Sequence, residues 1–205
     1  PKLNIYKKRL ILYSKITTRK ICSGSPGDKK IMEIKMKHLI ILCAPCGTGK
    51  YTVNEIFKSR GLLPDYATLD SDDIDISWLD YKDTEREDQY YTDNLKRALE
   101  IAGDKNLLLV SDGMNPINFY EKVELSSEIT DTHFIAMVCS DEEIRKRLNA
   151  RPAERNCGSD AFIQSQIDYS VWFKKNRGKF QKFIDNTGQT PEETAEIIAE
   201  YVKSL

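Results

Sequence analysis

Residues 38 to 52 read HLIILCAPCGTGKYT, an apolar run followed by a loop of small residues that ends in Gly49-Lys50. An apolar strand, a glycine-rich loop and a helix in this order are typical of the P-loop, whose pattern is G-x-x-x-x-G-K-[ST]. Ala44 stands at the first glycine position, and Tyr51 stands where the pattern has Ser or Thr. The sequence therefore predicts a phosphate-binding loop altered at two fixed positions, with an ordinary glycine-rich turn as the alternative interpretation.

The unaltered residues explain how such a loop would hold a nucleotide. Gly47 and Gly49 permit positive φ angles and a close approach of the backbone to phosphate. Lys50 would bring a mobile ammonium to the β and γ oxygens, and a helix at about 51–59 would point its positive end at them. The predicted nucleotide contacts in this stretch are Pro45, Cys46, Gly47, Thr48, Gly49, Lys50, Tyr51 and Thr52.

The composition is that of a globular chain with an uneven distribution of charge. The 205 residues are 40% hydrophobic, which suits one domain with a sizeable core. Residues 1–37 carry 11 Lys and Arg side chains against two acidic ones, whereas the rest of the chain has 20 basic and 30 acidic side chains. We predict a basic N-terminal extension over residues 1–36 and a P-loop kinase-like domain over residues 37–205. No apolar run approaches the ~18 residues of a membrane helix, so a membrane partner is not expected.

The basic extension has several interpretations that the sequence leaves open. It suits a solvated arm, an organelle-targeting peptide, or translated sequence upstream of a start at Met36, which directly precedes the first strand. A nucleic-acid partner is not expected, because charge runs are usually solvated faces. Five cysteines without a zinc-type histidine pattern indicate reduced thiols of a cytoplasmic protein. Cys46 is either a small filler of the loop or an oxidisable thiol whose pKa Lys50 would depress.

Strand-like and helix-like periods alternate beyond the loop, which predicts an α/β fold with a parallel sheet. Strands are expected at 66–69, 106–111, 133–139 and 183–185. Helices are expected at 84–102, 116–123, 141–149, 160–175 and 190–204. The last helix is the best marked, because the stretch TPEE places a cap, a first-turn proline and acidic residues in order.

Acidic side chains follow two of the predicted strands. Asp70 and Asp72 come just after strand 66–69, and Asp112 ends strand 106–111. In open α/β sheets, ligands collect beyond the carboxyl ends of the strands. We predict Asp70 and Asp112 as magnesium ligands and Asp72 as the group that accepts the proton of an attacking hydroxyl. An acidic loop with a helix cap is the alternative.

A cluster of arginines occurs in the stretch EIRKRLNARPAERNCGSD: Arg145, Arg147, Arg151 and Arg155. Arg147 and Arg151 share a helix face until Pro152 and Gly158 break the segment into a loop. Arginines on a loop between two helices suit a lid that stabilises a transferring phosphoryl group and excludes water. We predict a lid at about 150–160, with Arg147 and Arg151 as catalytic contacts; a solvated basic helix end is the alternative.

Taken in order, these motifs resemble the nucleoside and nucleotide kinase-like P-loop proteins, including shikimate- and adenylate-kinase-type small-molecule kinases. A-P-C-G-T-G-K resembles that family's phosphate loop, and L-D-S-D-D-I is similar to the D-T-D segment of shikimate kinases, whose aspartates serve metal and acceptor hydroxyl. V-S-D-G is similar to the D-G that closes the third strand of adenylate kinases. R-L-N-A-R-P-A-E-R looks like the family's helix-to-lid segment, and I-D-N-T-G-Q-T resembles the late loop that borders the adenine, which makes Asn186 a nucleotide contact by resemblance.

The resemblance covers about residues 37–205 and implies a three-layer P-loop NTPase fold. In such a fold a five-stranded parallel sheet of order 2-3-1-4-5 has helices on both faces and a small lid. The resemblance also implies ATP and Mg²⁺ as cofactors and a small phosphate acceptor, such as a nucleoside, a nucleotide or a similar metabolite. Lys50 then joins Asp72, Arg147 and Arg151 as a catalytic residue. A monomer and a homodimer are both compatible with it.

Tyr51 is the chief departure from that family's pattern. A phenol oxygen lies several ångströms beyond the position of a Ser or Thr hydroxyl, so Tyr51 is not expected to bind magnesium as they do. Thr52 would point elsewhere, since successive helical residues are about 100° apart. Two hypotheses follow: an ATP-dependent phosphotransferase, and a nucleotide-binding P-loop module with weak or no phosphoryl transfer.

Overall fold

The computed structural model describes residues 18–23, 30–35 and 37–205, the first two segments only as backbone strands. The strands, named β1 to β7 in chain order, are Thr18–Ser23, Lys30–Lys35, Lys37–Cys43, Tyr66–Asp70, Asn106–Ser111, Ile129–Val138 and Lys182–Asp185. The α-helices, named α1 to α6, are Lys50–Arg60, Gln89–Ala102, Pro116–Lys122, Asp141–Asn149, Asp160–Lys175 and Pro191–Lys203. Short 3-10 helices occur at Ser71–Asp73, Trp78–Asp80, Ala153–Arg155 and Arg177–Lys179.

Five of the strands form one parallel sheet in the order β4-β5-β3-β6-β7. Counted from the P-loop strand β3, this is the predicted order 2-3-1-4-5, so the predicted fold class is confirmed. Strand β3 lies at the centre, where Ile41 is aligned with Leu109 of β5 and with Phe134 of β6. Because central parallel strands are covered on both faces, β3 and β5 read as nearly unbroken apolar runs.

Alternate residues of the strands enter separate apolar cores on the two faces of the sheet. On one face, Ile41 and its neighbours pack with helices α2, α3 and α5, including Leu95 of α2. On the other face, Ile40 packs with α1 and α6 through side chains such as Phe57 and Ile198. A smaller third core joins α4 to α5 below the P-loop. The predicted placement of helices on both faces is therefore observed.

Side-chain caps fix the starts of four helices close to their predicted positions. Asn115, Ser140 and Ser159 each accept a hydrogen bond from a first-turn amide of α3, α4 and α5 respectively. Thr190 and Glu193 form a complete capping box at the start of α6. Caps of this kind depend on residues a few positions apart, so they can be predicted from sequence.

Two boundaries differ from the prediction. Helix α2 begins at Gln89 instead of residue 84. Thr84 Oγ1 donates to the Tyr81 carbonyl at 2.6 Å, and Asp83 has a φ of 60°. Such local bonds compete with the helical pattern and hold the segment in turns. Strand β6 begins at Ile129 instead of residue 133, because its first residues pair with the start of β3.

Strands β1 and β2 form an antiparallel pair separate from the main sheet, with Arg19 aligned to Ile34. The sequence-based expectations for residues 1–36 contain no such hairpin. The rest of that predicted extension, including Met36 as a possible start, lies outside the described residues. Within the described part of the chain, no helix combines the length and the apolar character needed to span a bilayer.

Candidate active site

The P-loop, residues 44–51, joins the end of β3 to the first turn of α1. Gly47 and Gly49 have φ angles of 87° and 93°, which glycine adopts far more readily than other residues. Thr48 Oγ1 donates to the Pro45 carbonyl at 2.8 Å and closes the loop on itself. No side chain caps α1, so the first amides of this helix remain available to an anion.

Gly47 lies against α4, which makes its substitution a test of how tightly the loop is packed. A β-carbon there would stand 3.1 Å from Leu148 Cγ and 3.3 Å from the Ile144 carbonyl oxygen. Because φ is positive as well, Gly47→Ala is expected to lower the free energy of unfolding by about 2 to 4 kcal/mol in denaturant titrations. Gly61→Ala is the control, since Gly61 has a positive φ but no atom within 4 Å of that position. For the control we expect a loss of about 1 kcal/mol in the free energy of unfolding, and equal losses in both variants would contradict the packing argument.

Arg147 and Asn186 donate hydrogen bonds to backbone carbonyls of the P-loop. Arg147 Nη1 donates to the carbonyls of Thr48 at 3.0 Å and Gly47 at 3.4 Å, while Arg147 Nε donates to Glu143 Oε2 at 3.0 Å. Buried Asn186, just after β7, donates through Nδ2 to the Thr48 carbonyl at 2.9 Å. Satisfying these carbonyls fixes the conformation of the loop. The geometry gives both residues a positioning role, and their predicted contacts with a nucleotide stay predictions.

Lys50 is the buried cation of the site, with 8% of its surface exposed. Its Nζ lies 3.7 Å from Cys46 Sγ. Burial lowers the pKa of Lys50, but Cys46 and the carboxylates of Asp112, Asp70 and Asp72 outweigh burial and raise it. The Lys50 ammonium therefore stays charged at neutral pH, as a partner of phosphate must. Asp70, Asp72 and Asp112 are called the acidic group below.

The members of the acidic group lie together at the carboxyl ends of β4 and β5 but differ in exposure. Asp70 ends β4, is 3% exposed and accepts a hydrogen bond from the Asp72 amide at 3.1 Å. Burial raises the pKa of Asp70 to about 6, although the hydrogen bond opposes the rise. Asp72 is exposed over much of its surface, yet partial desolvation of its carboxyl group, and then the charge of Asp112, raise its pKa too.

Ionised Asp70 is expected to cost stability. The folded chain keeps the Asp70 proton up to about pH 6, whereas the unfolded chain releases it near the ordinary value of 3.8. The stability contributed by this group is therefore present below pH 3.8 and is lost as the pH rises to about 6. Asp70→Asn keeps an oxygen for the Asp72 amide and is expected to raise the free energy of unfolding by about 2 to 3 kcal/mol at neutral pH. Denaturant titrations at neutral pH and at about pH 4 measure this, and a gain of equal size at both pH values would contradict it.

The donor set at this edge of the sheet fits a magnesium ion shared with phosphate oxygens. The Asp70 carboxylate accepts one hydrogen bond, and Asp112 Oδ2 accepts only a weak contact from Cys46 Sγ at 3.9 Å, so both keep oxygens for a metal. Within residues 37–205 no three His, Cys, Asp or Glu side chains converge on a protein-only metal site. Magnesium keeps several waters and needs only one or two carboxylates beside substrate phosphates. Tyr51 is 51% exposed, and Thr52 is exposed as well.

Gln166 of α5 contacts the P-loop without any sequence signal that marks it. Its Oε1 accepts a hydrogen bond from the Cys46 amide at 2.9 Å. The Cys46 thiol lies between Lys50 Nζ and Asp112. Burial raises the pKa of Cys46 more than the charge of Lys50 lowers it. A raised pKa favours the passive filler over the oxidisable thiol.

The predicted lid at 150–160 connects α4 to α5 and contains a single 3-10 turn, Ala153–Arg155. Arg151 Nη1 contacts Cys157 Sγ at 3.7 Å. The charge of Arg151 opposes the rise in the pKa of Cys46 that burial causes, and the charge of Arg155 does the same at Asp72. Arg151 therefore lies near the P-loop and Arg155 near the acidic group, while closure of the lid stays a prediction.

A model of the protein family described as AAA domain matches residues 40–164, from β3 to the first turn of α5. The chain belongs to this AAA domain family. The matched part of the AAA domain contains the P-loop, the acidic group and the predicted lid. Together with the sheet order, this match confirms the resemblance to P-loop kinase-like proteins that the motifs indicate.

Solved structures share the fold of this AAA domain. The tunicamycin resistance protein of Deinococcus radiodurans is 17% identical, with 81% of this chain and 95% of that chain covered and a TM-score of 0.56. Shikimate kinase from Acinetobacter baumannii, solved in complex with shikimate, is 19% identical, with coverage of 83% and 95% and a TM-score of 0.54. At these identities the likeness shows the fold alone. No curated protein sequence matches the chain.

Proposed function

We propose that this AAA domain is an ATP-dependent phosphotransferase that phosphorylates a small hydroxyl-bearing molecule with the help of magnesium. The observation that supports it most directly is the environment of Lys50, a buried ammonium that faces the P-loop and the acidic group. A module that only binds a nucleotide needs the loop and the lysine. Transfer additionally needs carboxylates opposite the loop, for the metal and for the acceptor proton.

Phosphoryl transfer depends on positioning and charge neutralisation more than on covalent chemistry by the protein. The acceptor oxygen bonds to the γ-phosphorus, the bond from that phosphorus to the β–γ bridging oxygen breaks, and ADP leaves. Asp72 takes the proton of the acceptor hydroxyl. Lys50 and Arg151 stabilise the charge on the transferring group. Asp70 and Asp112 would hold the magnesium ion, which neutralises phosphate charge when it is bound.

Acceptor-dependent ADP formation tests this proposal. The full chain is incubated with Mg-ATP and a panel of nucleosides, nucleotides and other hydroxyl-bearing metabolites, and ADP is measured by a coupled assay. The kinase function predicts ADP formation that depends on both magnesium and one class of acceptor. A pure sample that binds ATP but forms no acceptor-stimulated ADP would rule the kinase function out.

Tyr51, an exposed tyrosine at the position where the P-loop pattern has Ser or Thr, favours a second candidate function, a nucleotide-binding module with weak or no transfer. Tyr51→Ser restores the hydroxyl that the P-loop pattern has at this position. The module function predicts that Tyr51→Ser gains turnover by about tenfold or more, since a missing metal ligand is replaced. The kinase function predicts little change, because Asp70 and Asp112 already hold the metal. Initial rates of ADP formation separate the two.

We further propose that the enzyme acts in the cytoplasm, as a monomer or a homodimer. Within residues 37–205 the free thiols are Cys43, Cys46, Cys139 and Cys157. Free thiols suit a reducing compartment, where disulfides rarely form. Cell fractionation with an antibody against the chain tests the location.

A further inference from the structure

Four aromatic side chains form one patch beside the acidic group, and they are called the aromatic cluster below: Trp78, Tyr81, Tyr90 and Tyr91. The ring centroids of Trp78 and Tyr90 lie 5.1 Å apart, and Tyr90 also contacts Tyr81 at 5.6 Å and Tyr91 at 5.5 Å. Tyr90 is buried, whereas the other three rings remain half-buried. Rings that pack together and still present surface to solvent are suited to hold a flat ligand.

Tyr90 connects the aromatic cluster to the proposed base. Burial, and then the charges of Asp72 and Asp112, raise the pKa of Tyr90 to about 12, so its hydroxyl is protonated and lies near both carboxylates. Asn94 Nδ2 donates to the Tyr90 hydroxyl at 3.5 Å and to the Ser71 carbonyl at 3.2 Å. These contacts tie the cluster to the turn that carries Asp72. The aromatic cluster therefore lies next to Asp72, the group proposed to take the proton of the attacking hydroxyl.

Neutral polar groups lie around the segment that follows β5. A β-carbon on Gly113 would stand 3.0 Å from Tyr91 Cε1, so the Tyr91 ring lies directly on this backbone. The Tyr169 hydroxyl donates to the Asp112 carbonyl at 2.6 Å and accepts a hydrogen bond from Asn115 Nδ2 at 3.2 Å. These uncharged groups bond to one another and to the backbone, so they add no cation to this side of the site.

The cations that lie over rings of the aromatic cluster are paired with carboxylates. Arg86 lies 5.0 Å from the centre of one tyrosine ring and 3.6 Å from Asp93. Lys122 lies 5.2 Å from the centre of another ring and 2.8 Å from Asp88. Helix α5, which supplies Tyr169, has no Lys or Arg in the sequence before its last turn. At the rings themselves, an anionic ligand would have to break one of these two ion pairs to obtain a charged partner.

The acidic group also favours neutral acceptors over anionic ones. The charges of its three carboxylates raise the pKa of Lys50, so they lie near this ammonium, and Asp70 is buried. A carboxylate or phosphate on the acceptor would place like charge beside Asp72, the carboxylate that the proposed magnesium ion does not neutralise, which is unfavourable. An uncharged ring meets no such repulsion and gains contact with the aromatic cluster.

We infer that the acceptor is an uncharged, hydroxyl-bearing compound with a flat ring, such as a nucleoside, and that the aromatic cluster binds this ring. The inference rests on the proposed function and narrows it. Nucleoside monophosphates and carboxylate-bearing alcohols are rejected by the same surface.

Matched acceptors and two readouts test this inference on the full chain. Nucleosides are compared with their 5′-monophosphates, with shikimate as an anionic alcohol and with glucose as a neutral alcohol that lacks a flat ring. We expect kcat/KM for the best nucleoside to exceed that for its monophosphate and for shikimate by about 100-fold. Monophosphates or shikimate that react as well as nucleosides, or glucose that matches them, would overturn the inference.

The second readout separates this inference from the proposed function. Acceptor binding is measured by calorimetry on the complex of the chain with a non-hydrolysable ATP analogue. Nucleosides that bind to this complex without forming ADP in the first assay support the inference and contradict the kinase function. If no nucleoside binds, the inference is wrong, whatever the rate of ADP formation.

Tyr91 and Tyr201 provide a matched pair of variants. Both are half-buried tyrosines with a lysine over the ring, Lys122 at 5.2 Å and Lys182 at 5.6 Å, but Tyr201 packs on the opposite face of the sheet. Tyr91→Leu is expected to raise the KM for the nucleoside about tenfold without changing the KM for ATP, and Tyr91→Phe, which keeps the ring, to recover most of that loss. Tyr201→Leu is expected to change neither. Equal effects of Tyr91→Leu and Tyr201→Leu on the nucleoside KM would overturn the assignment of the ring site.

Discussion

Replacing Lys50 with methionine is expected to lower kcat/KM for phosphoryl transfer by about a thousandfold, because the γ-phosphate loses the buried cation that stabilises its charge. Methionine fills a similar volume in the 8% exposed pocket of Lys50, so the P-loop and the first turn of α1 are expected to remain packed. Initial rates of ADP formation measure the loss, and thermal unfolding of the same samples checks that the variant is folded.

Lys58→Met is the control for this variant. Lys58 is on the same helix but is exposed and pairs with Glu55 at 2.9 Å, so its loss is expected to leave the rate unchanged. If folded Lys50→Met kept more than about a tenth of the wild-type rate, Lys50 would not be the main phosphate partner.

Asp72→Asn is expected to lower kcat by about 100- to 1,000-fold, because an amide of the same shape accepts no proton from the acceptor hydroxyl. ATP binding should be unchanged, since the P-loop and Lys50 are intact. The wild-type rate is also expected to fall at a higher pH on the acid side than an ordinary aspartate would give, because the pKa of Asp72 is raised. Rates across pH and calorimetric titration with ATP measure these effects.

Asp73 offers a control one residue away. Asp73 is exposed in the same 3-10 turn, so Asp73→Asn changes the local charge by the same amount. We expect its rate to stay within about twofold of the wild type. Similar losses in Asp72→Asn and Asp73→Asn would point to a general charge effect and contradict a specific base.

The fold could be predicted from the sequence because its determinants are short-range. The apolar run before the P-loop and the run at 106–111 are buried central strands, and helices with a capping side chain begin where the caps predict. The start of α2 is the exception. Residues 84–88 look like the start of a helix, yet turns around Asp83 and Thr84 delay α2 until Gln89.

The candidate site could be predicted only in part. Gly47, Gly49 and Lys50 are recognisable by their spacing, and parallel strands bring Asp70 and Asp112 to one edge of the sheet. The contacts that support the P-loop have no comparable signal. Gln166 meets the Cys46 amide across 120 positions of the chain, and nothing in the sequence around Gln166 indicates that contact.

By itself, the sequence determined the P-loop, its lysine and the carboxylates at the strand ends, because each depends on residues a few positions apart or on the alternation of strands and helices. Only the tertiary structure decided what surrounds them. Arg147 and Asn186 reach the same Thr48 carbonyl from 99 and 138 positions away, and the aromatic cluster forms beside the acidic group only when α2 packs against the sheet. Contacts between distant segments depend on the packing of whole elements, which no local pattern encodes.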